Sequence, residues 1–175
     1  MENRLNIKTL KVIDYAIFVG RGCLANLHES KSFNRMYSLE SPVCIAVYTT
    51  QGTLNIGLSA PFMFDGRSGS PLLDWYAPNL GSIEERIAWL VHDVNGYAKC
   101  LSFKDTNTLL FAMLRDLCHY RKTKAATIRY AVSLSKGWYG KPEPTDKYFV
   151  NYDKIQVKWV TDGTDFVLQA DGRNA

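Results

Sequence analysis

The sequence predicts an α+β domain in which a central bundle of about three helices is flanked by N- and C-terminal β-hairpins. Two observations carry this. Alternating apolar segments fall before residue 60 and after residue 148, while residues 82–136 keep the helical period. Serine-led caps open two of the helical stretches.

The elements follow in order. Val12 to Val19 is an apolar run that reads as a strand, and Val43 to Thr49 is rich in β-branched residues. Thr50-Gln51-Gly52 then supplies a turn, and Leu54 to Leu58 returns with alternating residues. Gly52 suits the positive φ that a tight turn demands. Ser82-Ile83-Glu84-Glu85 is a capping box, followed by one apolar stripe of Ile83, Ile87, Leu90, Val91 and Val94. Ser102-Phe103-Lys104-Asp105 opens the second helix, whose apolar side is Leu109, Leu110, Met113, Leu114 and Leu117. Lys122 to Ser135 fits a third helix, with Gly137 placed to end it. Lys141-Pro142-Glu143-Pro144 is an extended connector. The last hairpin reads as Lys154 to Val160, a turn at Thr161-Asp162-Gly163-Thr164, and a return through Phe166-Val167-Leu168. Ile155, Val157 and Trp159 should face the core while Gln156 and Lys158 face water.

Residues 1–175 are read as one domain, with β elements at 10–60 and 148–170 and a helical core with a candidate site at 61–140. Hydrophobic residues at 46% and charged residues at 22% exclude a disordered chain, a collagen-like repeat and a coiled-coil rod. No run approaches the ~20 apolar residues of a bilayer span. Met1-Glu2-Asn3-Arg4 leads into no apolar signal region, so an unprocessed protein in a reducing cytoplasm is expected. Cys23, Cys44, Cys100 and Cys118 have no Cys-x-x-Cys spacing and read as free thiols.

Charge and histidine content narrow the function classes. The net charge of +4 is mild, which argues against a dedicated nucleic-acid binder. Between Arg115 and Lys141, however, seven basic residues meet one acid. Arg121, Lys122, Lys124 and Arg129 on this stretch are candidates for holding an acidic partner. His92-Asp93 in the first long helix is the strongest chemical signal. His92 lies about 180° from Ile83 on the helical wheel, and Asp93 projects about 100° from His92. That suits a base beside a cation ligand; the plainer reading is a histidine on the polar side of a half-buried helix. An antiparallel second helix would bring Asp105 or Asn107 to His92 as an orienting group. Asp65, in the turn Phe64-Asp65-Gly66-Arg67-Ser68-Gly69-Ser70-Pro71, is a second candidate cation ligand.

These motifs resemble the phage and prophage proteins grouped as domain of unknown function 1353, over residues of about 56–140. The residues carrying the likeness are Asp65-Gly66 through Pro71, Leu90-Val91-His92-Asp93, Tyr97, Ser102, Tyr130-Ala131-Val132 and Gly137-Trp138. The family's aspartate on the second helix falls on Asn107 here, and Arg67-Ser68-Gly69 enlarges the Asp-Gly loop. A fainter likeness links the His-Asp helix pair to secreted phospholipases A2. It implies His92 as base, Asp93 as calcium ligand, and Asp105 or Asn107 as orienter. The leading expectation is a phage-encoded protein with an assembly or interaction role, a minor virion component or a protein of the infected host's cytoplasm. Its partners would be other virion or assembly proteins, or a second copy, met through the terminal β regions and not through the helical centre. The alternative is a His-Asp hydrolase acting on a lipid, cell-wall or phosphodiester bond with Ca²⁺. A third reading is a factor that binds an acidic partner through the basic face.

Overall fold

The computed structural model describes residues 5–27, 37–59, 62–64, 80–134 and 155–161. Within them the chain is mixed α+β, as the periodicities predict. The strands are β1 (Val12–Val19), β2 (Tyr37–Leu39), β3 (Val43–Thr49), β4 (Gly52–Leu58), β5 (Phe62–Phe64) and β6 (Ile155–Val160). The helices are α1 (Arg21–Ala25), α2 (Ile83–Ala98), α3 (Phe103–Asp116) and α4 (Lys122–Ser133).

The two flanking β regions join into one antiparallel sheet of order β1-β3-β4-β6, with β2 and β5 forming a separate pair. β6 lies against β4 in register, from Thr53 opposite Val160 to Leu58 opposite Ile155. The registers line up Ile17, Ile45, Ile56 and Val157 across four strands, beside a second row of Tyr15, Val47, Leu54 and Trp159. These rows form the apolar face, because side chains of one parity share one side of a pleated sheet. Gln156 and Lys158 have the opposite parity and are exposed, as the alternation predicts. The expected return strand through Phe166-Val167-Leu168, the Pro-rich connector and Gly137 lie outside the described residues.

The β3–β4 hairpin turns at Thr50-Gln51, and Gly52 opens β4 with φ +145°. A Cβ at Gly52 would sit 2.6 Å from the carbonyl oxygen of Val160 and 2.8 Å from the Trp159 ring. Glycine is therefore required twice, by its own dihedral and by the approach of β6.

Helix α2 is capped as its sequence dictates. The Glu85 amide donates to Ser82 Oγ at 3.2 Å, and the Ser82 amide donates to Glu85 Oε2 at 3.3 Å. Lys99 ends the helix in the left-handed conformation. Ser102 then caps α3, accepting from the Asp105 amide at 3.1 Å. α3 packs on both α2 and α4, and α2 also meets β6. The result is that α2 is buried on every side from Ile87 to Gly96. Each fully buried Ile or Leu in this core contributes ~1.5–3 kcal/mol through removal of apolar area from water.

The segment before β1 lies along α3, tied at both ends. The Leu5 amide donates to Asp105 Oδ1 at 2.9 Å, and the Val12 amide donates to Asp116 Oδ2 at 2.9 Å. Arg115 adds a bond from Nη2 to the Leu10 carbonyl at 2.8 Å.

Candidate functional site

The antiparallel α2–α3 pair brings His92 to Asn107. His92 Nε2 lies 3.0 Å from Asn107 Oδ1, and His92 Nδ1 lies 3.1 Å from Asp93 Oδ1. His92, Asp93 and Asn107 are at most 4% exposed. Trp89, one turn back, sets its ring edge-to-face with the imidazole at a centroid distance of 6.1 Å.

Three sequence expectations are corrected here. His92 does not lie on a half-buried polar side: it is buried, because α3 packs against α2 there and sets Asn107 on its ring. Asp93 does not turn away from His92. Its Cβ projects elsewhere on the wheel, but rotation about the side-chain bonds returns the carboxylate to the neighbouring ring. Asp105 does not orient His92. Its Oδ2 accepts from Ser102 Oγ at 2.7 Å and its Oδ1 holds the Leu5 amide, so its capping duty and the N-terminal tie occupy it. Of the two open candidates, Asn107 is the partner.

The contacts narrow where protons can sit. An ionised Asp93 carboxylate facing Nδ1 needs an N–H there. At Nε2 two arrangements satisfy the amide. A doubly protonated ring donates to Asn107 Oδ1, or the amide turns end for end and its Nδ2 donates to a neutral ring. Both leave Nε2 facing a buried amide.

Asp65, the other candidate cation ligand, lies outside the described residues. Among the described residues, no group of three His, Cys, Asp or Glu side chains is placed to hold a metal ion. All four cysteines are free thiols, as their spacing predicts.

The basic candidates separate. Lys124 folds over the Tyr120 ring, with Nζ 3.8 Å from its centroid. Arg121 stands at the N-cap of α4, which has no side-chain cap. Lys122 is exposed and Arg129 partly so; being seven residues apart, they lie on the same flank of the helix.

A second polar cluster, not anticipated from the sequence, surrounds the start of α2. Tyr15 of β1 donates from its hydroxyl to Glu84 Oε1 at 2.8 Å, and the Tyr120 hydroxyl donates to Glu85 Oε1. Burial, then the bond to Glu84, pushes the Tyr15 hydroxyl up to about 12. Burial would raise Glu84, but bonds from its own amide, Tyr15 and Ser82 outweigh it and hold the carboxyl below its ordinary value. Two adjacent acids in a first turn, Glu84 and Glu85, are the signal that could have prompted a search for hydroxyl partners.

No protein-family model, curated protein or solved structure matches this chain.

Proposed function

We propose that this chain is a phage-encoded protein with an assembly or interaction role, working as a minor virion component. The observation that carries the role is the closure of His92: both ring nitrogens face buried partners, and the group best suited to act as a base is built into the helix pair. The likeness of residues 56–140 to phage and prophage proteins supports the setting.

The β1 edge supports an interaction role as well. Among the described residues β1 pairs only with β3, and both of its register shifts fall at exposed apolar residues. Ile13 is 66% exposed and Phe18 62%. Bulges re-aim side chains, and here they turn two large apolar groups outward from an edge strand.

Two measurements test the reading together. Mass spectrometry of purified particles of the encoding phage should find the chain at low copy number. The purified protein with Ca²⁺ should leave phospholipid vesicles, peptidoglycan and a phosphodiester reporter intact. Turnover that is lost in His92→Ala would replace this reading with the hydrolase.

A further inference from the structure

We infer that the outer face of α4 docks an acidic amphipathic segment of a partner protein, an inference that rests on the interaction role proposed above and names the chemistry of one partner.

The face is defined by spacing. Lys122, Ala126, Tyr130 and Leu134 follow at intervals of four and are all exposed. At about 100° per residue they form one slowly turning ridge, opposite the buried side of Ala125, Ile128, Ala131 and Val132. Tyr130 is 68% exposed and Leu134 62%. Large apolar side chains at helical spacing on an outer surface match the composition of an interface core, where Tyr and Arg are enriched.

Charge selects the occupant. Lys122 opens the ridge with Arg129 beside it on one flank, and Thr123 and Thr127 lie on the other. α4 contains no acidic residue, so nothing on the helix answers these cations. A second copy docked by this same face would bring more cations and no carboxylate, which disfavours self-pairing. A nucleic acid would need cations at the centre of the face, where Ala126, Tyr130 and Leu134 stand instead. The fit is a segment that lays apolar side chains along Ala126–Leu134 and sets carboxylates against Lys122 and Arg129.

The test uses the full chain and a synthetic helical peptide bearing a leucine row flanked by glutamates, with binding read by fluorescence anisotropy. A lysine-for-glutamate version of the peptide, a single-stranded oligonucleotide and phosphatidylglycerol vesicles serve as competing probes. The acidic peptide should bind and weaken with rising salt. Tyr130→Ala with Leu134→Ala, and separately Lys122→Glu with Arg129→Glu, should each weaken it by roughly tenfold or more. Circular dichroism should show both double variants folded, since Lys122, Tyr130 and Leu134 are exposed, Arg129 is partly so, and none of the four is in the core. Absence of binding, binding that ignores both double variants, or preference for the oligonucleotide or the vesicles would overturn the inference. Those results concern α4 alone and leave the particle-content and hydrolysis tests of the broader role to stand or fall separately.

Discussion

His92 and Asn107 join α2 to α3 through a 3.0 Å contact between Nε2 and Oδ1, fifteen residues apart in sequence and sealed from solvent. The pair does for the helix interface what an apolar contact would do for packing, but with direction. Its distance and angle requirements restrict how α2 can rotate against α3.

Removing the ring should therefore cost stability before it costs anything else. His92→Ala removes the bonds that the ring makes to two buried groups, and a loss of roughly 1–3 kcal/mol in urea denaturation is expected. A change within about 0.5 kcal/mol would place His92 with residues whose contacts carry no folding energy.

The α3 terminus gives a pH signature. Burial tends to raise Asp116, but the bond from Arg115 and the Val12 amide outweigh it and depress its carboxyl. A depressed carboxyl contributes stability that is present above its unfolded value near ~3.9 and is lost as pH falls through the folded value. Urea midpoints of the native chain should thus drop more steeply below about pH 4 than those of Asp116→Asn. Parallel acid profiles for the two would remove this tie from the account.

Much of this architecture was legible locally, and what was not had long-range or torsional causes. The caps at Ser82 and Ser102, the β3–β4 hairpin and the start of α4 at Lys122 are set by neighbours within four residues. The pairing of β6 with β4 spans about a hundred residues, and nothing in either strand names the other. Asn107 and Asp105 both lay within a turn of the expected crossing; two residues apart on the helix they face different ways, and the Ser102 cap and the Leu5 amide hold Asp105 while Asn107 meets His92. The return of Asp93 to His92 depends on side-chain torsions that a helical wheel does not contain.

Gly52 should tolerate no side chain. Its φ of +145° and the 2.6 Å approach of the Val160 carbonyl oxygen act together. Gly52→Ala should lose more than the ~1 kcal/mol that the dihedral alone costs, because backbone, not a flexible side chain, must move. A thermal midpoint equal to that of the native chain would show that β6 does not close on β4 in solution.

Two of the thiols, Cys44 and Cys118, should be inert in the folded protein. Burial, reinforced by Glu85 and Glu84, pushes Cys118 up to about 12, and burial raises Cys44 as well. At pH 8 neither carries appreciable thiolate, the form that reacts. Iodoacetamide should spare both in the native state and reach all four cysteines in urea. Rapid native labelling of Cys118, located by peptide mass spectrometry, would contradict its placement.

His92 and Asn107 act on each other across the helix pair. A double-mutant cycle with His92→Ala, Asn107→Ala and the combined variant, measured by urea denaturation, addresses it most directly. A coupling energy of about 0.5–3 kcal/mol is expected, with the combined variant losing less than the sum of the two single losses. Strictly additive effects would contradict it.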